Sequence, residues 1–460
     1  MKTTPPPLPP PPSSAVATSS RGQRRTLLTL GIILVAAIAL SAALSFTYFC
    51  WARDEPPPNL TDLEVPRPPE LPENQNAYAL LVRAAAAAQN PLHKTRRTDI
   101  NALLEGTRQD DALRQELLAH ADAQGVWPLV AQALAAPRSQ AAWPESFDSE
   151  YPETGQLRPL AWLMILRATD EARRGDTRKS LQTLRDIFAI GTVIENGSTT
   201  LIHHLTAIAI KTQALDATRR VAITHPLSCD DLRFALATVR ASRLNPENTR
   251  RTFRMELNSF HLALDNITNP KTRGSFRRLL GGYTPFNVKS LGFDPKLTPL
   301  LKRNKTTRLY AERLREVIRL IGQDGTAITT SNIDAPFEPS SKIHQENYLG
   351  RVLLNLVSPS WSKLLQTGVR HESAFSATEA FLALRHYALD HDRALPATLD
   401  TLVPEYLPSL PRDHADGQPI RYSREFRALW SVGVGEKKLT VTAAGQKPGK
   451  GELLLDLAAF

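Results

Sequence analysis

The residues able to do chemistry are histidines, carboxylates and two cysteines, and their spacing argues against a reaction centre. His386 and His391 are five apart and His371-Glu372-Ser373 precedes them. Ligands on one helix face recur every three or four residues, so a five-residue step is poor for a shared zinc ion. His203 and His204 are adjacent and point to different sides of a helix, with Leu201 and Ile208 one turn from His204. This stripe reads as a satisfied core histidine. Cys229 has no base near it in sequence and reads as a small buried hydrophobe. Gly197-Ser198 reads as a loop and helix cap rather than a nucleophile. Two cysteines are too few for a disulfide framework or a thiolate zinc site. The nucleophile elbow, the zinc-protease helix, the phosphate loop and the dinucleotide fingerprint are all absent from the sequence. No catalytic residue, cofactor or metal ligand is therefore assigned. The leading function class is a non-enzymatic scaffold or interaction protein, and an envelope enzyme without a recognisable motif is the last alternative.

Charge marks a second candidate. The chain carries a formal +10, with 41 Arg against 15 Lys. Between Arg240 and Ile321, 18 basic residues face six acids. The densest points are Arg250-Arg251, Arg277-Arg278 and Lys302, Arg303 and Lys305. Such a patch attracts phosphate-bearing partners. An anionic lipid or envelope polymer fits better than nucleic acid, because the rest of the sequence places this segment outside the cytoplasm. The plainer reading is a solvated, arginine-rich helix face.

The elements that must position these residues begin with an anchor. Residues 26–52 contain no charged side chain over 27 positions. As a helix they reach about 40 Å, more than the roughly 30 Å of bilayer hydrocarbon. Arg21, Arg24 and Arg25 precede the run without an acid among them, and Asp54, Glu55, Asp62 and Glu64 follow it. The positive-inside rule then puts residues 1–25 in the cytoplasm and residues 53–460 outside a bacterial inner membrane. Tyr48, Phe49 and Trp51 suit an interfacial belt. The alternative is a signal peptide cleaved after Ser45, opposed by the long positive region and the long apolar run. Residues 1–25 read as a disordered, proline-rich tail. Residues 53–75, proline-rich and acidic, read as a semi-rigid spacer holding the rest off the bilayer.

Residues 76–392 are helical in period, with short turns that imply antiparallel hairpins. Asp176 reads as a cap, Ser198 as a helix start, and Ser228 or Asp230 as another start. Helices are expected over 247–267, 300–321, 348–369 and 372–390, with loops at 268–298 and 322–345. Residues 393–460 change character. Strand-like alternation runs through 420–423, 428–432, 438–442 and 452–457, with a turn at Asp416-Gly417. The fold class expected is mostly α, with one transmembrane helix, a helical-hairpin domain and a small C-terminal α/β tail carrying a short antiparallel sheet.

One ordered set of residues runs from 347 to 433. It includes Leu384, Tyr387 and Asp390-His391, then Leu402-Val403-Pro404, Tyr406-Leu407-Pro408 and Pro411, Asp413, Gly417, Pro419 and Tyr422, and ends at Ser431-Val432-Gly433. This segment resembles the C-terminal part of uncharacterised single-pass bacterial membrane proteins and the globular end of type II secretion pseudopilins. The resemblance implies a role as an accessory of a secretion or pilus-like assembly, with an envelope protein as partner. Calcium binding is not carried over, because Lys437 and Lys438 stand where a pseudopilin offers acidic ligands.

Overall fold

The computed structural model describes residues 19–146, 149–268, 301–337, 347–434, 438–449 and 452–458. Helix α1, Ser19–Ala52, is long and apolar enough over Leu28–Ser45 to cross a membrane. Leu28, Ile32, Ile33, Val35, Ile38 and Leu44 are all exposed, so none of the described residues covers this apolar cylinder. Arg21, Arg24 and Arg25 fall in its first turns.

The rest of the described chain is mostly helical. Helices α2 (Ala77–Ala87), α3 (Leu92–Thr95), α4 (Arg97–Glu105), α5 (Asp111–Ala123) and α6 (Val126–Ala135) surround one side of α7 (Pro152–Arg173). Helices α8 (Thr177–Gly197) and α9 (Leu201–Thr224) pack on α7 and on each other. Next come α10 (Cys229–Ala241), α11 (Pro246–Thr268), α12 (Arg303–Leu320), α13 (Gly325–Thr329), α14 (Tyr348–Val357) and the 30-residue α15 (Trp361–Asp390). The apolar residues form two clusters. One holds α2 to α10, the C-terminal half of α15 and the tail. The other holds Leu63, α11, α12, α14 and the N-terminal half of α15. Helix α15 thus runs through both.

Several local expectations are revised. The helices expected over 348–369 and 372–390 are instead α14 and one unbroken α15. The break falls at Ser358-Pro359-Ser360, because proline restrains the residue before it and cannot donate its nitrogen. Ser198 does not start α9. Its hydroxyl donates back to the Ile194 carbonyl at 2.8 Å, and the helix begins at Leu201. Asp176 precedes α8 without a side-chain capping bond. Ser228 does cap α10, in a reciprocal box with Asp231. Residues 322–337 include α13, while residues 269–300, which hold nearly all of the loop expected over 268–298, and residues 338–346 lie outside the described residues.

The tail is not a separate body. Leu395, Leu399, Leu402, Tyr406, Leu407, Ile420, Leu429 and Leu457 share the cluster of α10 and α15. Its sheet has strands β1 (Arg421–Ser423), β2 (Ala428–Trp430) and β3 (Leu454–Asp456), antiparallel in that order. Residues 438–442 are not a strand. Leu439 makes one backbone bond to Val432, and Leu439 and Val441 are buried as loop residues. Gly417 takes a left-handed φ of 74° and turns the chain between Asp413 and Gln418.

Candidate functional site

The acidic segment after α1 is a strap along α12 rather than a spacer. The Asp54 carboxylate accepts from the backbone amides of Asn304 (2.7 Å) and Lys305 (3.2 Å), the first turn of α12. These amides have no partner inside the helix, and their positive end favours an anion. Glu55 pairs with Arg308 at 2.8 Å, and that hydrogen bond holds its carboxyl below the ordinary value. Asp62 pairs with Arg315 at 2.7 Å, two turns further on. Leu63 then enters the second core at 2% exposure. Three of the acids that follow α1, Asp54, Glu55 and Asp62, therefore meet α12.

This strap bears on the basic segment. Lys305 faces Glu55 at 3.6 Å, and Arg303 pairs with Asp265 at 2.6 Å. Arg250 donates to the Ile321 carbonyl at 3.2 Å. Arg251 donates to the carbonyls of Asn196 and Ser198, tying α11 to the end of α8. Lys302 is buried. Arg277 and Arg278 lie outside the described residues. Arg250, Arg251, Arg303 and Lys305 are thus engaged with the chain's own carboxylates and carbonyls.

Where the two cores meet, the helices leave a cavity of about 220 Å³. Leu205 and Ile208 of α9, Phe253 of α11 and Leu364, Leu365 and Val369 of α15 make it chiefly apolar. Five polar side chains line it: His204, Thr249, Gln323, Glu372 and His414. Glu372 is already held by Arg243 at 2.8 Å and by the Leu244 amide at 3.2 Å. His204 differs. It is 3% exposed, and its Nδ1 has no hydrogen-bond partner among the described residues. Burial, with a further push from the Lys211 charge, lowers its pKa to about 4, so it is neutral at pH 7. Gly368 of α15 also lines the cavity, and a Cβ built there meets nothing within 4 Å.

The adjacent histidines do point apart, but the satisfied one is His203. Its Nδ1 lies 3.1 Å from Thr200 Oγ1 and its Nε2 3.4 Å from Glu153, between the edges of Tyr78 and Tyr151. His371 sits nearby on α15, its Nδ1 2.8 Å from Thr212 Oγ1. The reading of His204 as a satisfied core residue is thus corrected: it is buried but carries an orphan nitrogen. Helical periodicity placed it in the core but gave no signal for this. Cys229 is also more than a small apolar filler. It is half-buried, and its thiol points at Asp390 Oδ1, 3.4 Å away. With His386 these residues stand close enough to share an ion. No protein family, curated protein or solved structure matches this chain.

The buried imidazoles set an acid response. In the unfolded chain His204 titrates near its ordinary 6.5, and in the fold near 4. Between these values the unfolded state binds more protons, so stability falls as pH falls through that window. His371 acts in the same direction, its pKa held well below 6.5 by burial first and Lys211 second. The melting temperature should therefore drop as pH goes from 6.5 to 4. His204→Asn should make that drop shallower, and equal slopes would place the titration elsewhere.

Proposed function

We propose that this chain is a single-pass, membrane-anchored binding protein of the bacterial cell envelope. Its N-terminus is cytoplasmic, α1 spans the inner membrane, and residues 53–460 form the extracytoplasmic part. Helices α7 to α9, joined by short turns, are antiparallel hairpins. The role is capture rather than catalysis. The occupant of the cavity is an apolar small molecule with one neutral hydrogen-bonding group, such as a hydroxyl or an amide. The observation that carries this reading is the apolar wall of the cavity, made by Leu205, Ile208, Phe253, Leu364, Leu365 and Val369, with the buried His204 ring beside it. The few polar side chains in the wall, among them Thr249, Gln323 and the neutral His204 imidazole, match a single hydrogen-bonding group on the occupant. The neutral imidazole selects against an anion. The strap adds a second point: it couples the domain to the membrane end of α1 through Asp54 and Glu55 without a flexible tether.

Gly368→Phe tests the cavity. A Cβ at this position has open space ahead of it. Removing a mid-helix glycine also favours α15, by up to about 1 kcal/mol. The variant should fold with an unchanged or higher melting temperature. Full-length wild type purified from native membranes should carry an apolar small molecule, detected by mass spectrometry, that the variant lacks. Identical extracts would rule out the cavity as the binding site. A reporter active only outside the cytoplasm, fused after Phe460, should be active. Activity of a cytoplasm-only reporter at that position would reverse the orientation.

A further inference from the structure

We propose that Cys229, His386 and Asp390 form a zinc-class metal site that staples α10, α15 and the tail together. Cys229 is the first residue of α10, while His386 and Asp390 are one turn apart at the end of α15. One ligand atom from each lies within 4.8 Å of the other two. The Cys229 thiol is 3.4 Å from Asp390 Oδ1, and His386 Nε2 is 3.7 Å from Asp390 Oδ2. Tetrahedral zinc has bonds of about 2.3 Å to sulfur and about 2.0–2.2 Å to nitrogen or oxygen. Such bonds set neighbouring ligand atoms about 3.4–3.6 Å apart. The two separations, one to each carboxylate oxygen, are close to those of ligand pairs, with Asp390 placed between the thiol and the imidazole.

A second observation points to a ligand. His386 is 6% exposed, and its Nε2 has no hydrogen-bond partner among the described residues. That nitrogen faces the carboxylate at a distance too long for a hydrogen bond and suited to a shared metal. The surroundings hold the ligands in place. Tyr406 of the tail donates its hydroxyl to Asp390 Oδ2 at 3.0 Å. The His386 ring meets the Tyr406 ring edge-on, centroids 5.0 Å apart. Metal ligands are commonly oriented by such outer contacts. The donor set of one sulfur, one nitrogen and one oxygen is borderline-soft, which favours zinc over calcium or magnesium. Asp390 is exposed, so the fourth position opens to solvent. Binding takes one proton from Cys229, which leaves as the thiolate–metal bond replaces the thiol–carboxylate hydrogen bond.

The site lies apart from the cavity and does not depend on its occupant. Full-length protein in detergent, without an oligohistidine tag, is titrated with Co²⁺ as a spectroscopic stand-in and with Zn²⁺. Wild type and Cys50→Ser should each bind one Co²⁺ per chain with a thiolate-to-cobalt charge-transfer band that Zn²⁺ abolishes. Zn²⁺ should raise their melting temperature by several degrees. Cys229→Ser should lose the band. His386→Gln should weaken binding at least tenfold and lose the thermal shift, and it serves as the test if Cys229→Ser fails to fold. Absence of the band in wild type, its loss in Cys50→Ser, or full-strength binding by His386→Gln would overturn the proposal.

Discussion

Lys211→Met should destabilise the protein by about 3–5 kcal/mol, the usual cost of removing one partner of a buried ion pair. Lys211 Nζ lies 2.5 Å from Glu195 Oε2, and the two side chains are 0% and 1% exposed. The other Glu195 oxygen accepts from the Asn245 amide at 2.6 Å. The pair therefore joins α8 and α9 and also fixes the entry to α11. The lysine stem crosses α8 where residue 191 is glycine, and a Cβ there would sit 2.5 Å from Lys211 Cγ. Methionine fits the same channel but leaves Glu195 as an uncompensated buried charge. Lys211→Met with Glu195→Gln removes both charges and keeps an acceptor for Asn245. It should recover most of the loss, as replacing a whole buried pair is often near neutral. Thermal melts of the three chains, followed by far-UV circular dichroism, measure this. Equal melts for wild type and Lys211→Met would mean the pair does not form.

The features legible in the sequence are those written locally. The uncharged run gives α1, the period of the apolar residues gives α11 and α12, and Ser228 with Asp231 gives a cap. Features that join distant segments are not written that way. Lys211 and Glu195 sit on different helices, and nothing within either stripe marks them as partners. The acids after α1 read as topology, yet Asp54, Glu55 and Asp62 find α12 some 250 residues later. The candidate sites follow the same division. His386 and Asp390 are one turn apart and visible as a pair, whereas Cys229 is 161 residues from Asp390. His204 is visible as a core position, but a missing hydrogen bond leaves no trace in periodicity. Pro359 was a local signal, and it overrides the expectation of a break further along α15.

Asp413→Ala should detach the tail and lower the melting temperature by several degrees, from a loss of about 3–5 kcal/mol. Asp413 is fully buried. Its Oδ1 accepts from Ser373 Oγ of α15 (2.9 Å), Ser431 Oγ (2.8 Å) and the Ala415 amide (3.0 Å). Its Oδ2 accepts from the Val432 amide (2.8 Å) and from Arg421 (3.4 Å). Alanine would strand these donors at once, in the seam between the tail and α15. Asp413→Asn keeps one oxygen and should cost less. The same geometry speaks to calcium. A carboxylate already accepting five donors has no lone pair turned toward a cation, and Asp416 beside it is held by Arg421. Lys438 reaches the Gly433 carbonyl at 3.3 Å, which puts a positive charge beside the Ser431-Val432-Gly433 turn. Added calcium should therefore leave the wild-type melt unchanged. A calcium-dependent rise would mean that the tail has acidic ligands beyond this knot. An Asp413→Ala chain that melts like wild type would mean that the apolar contacts of Leu402, Leu407 and Leu429 hold the tail without it.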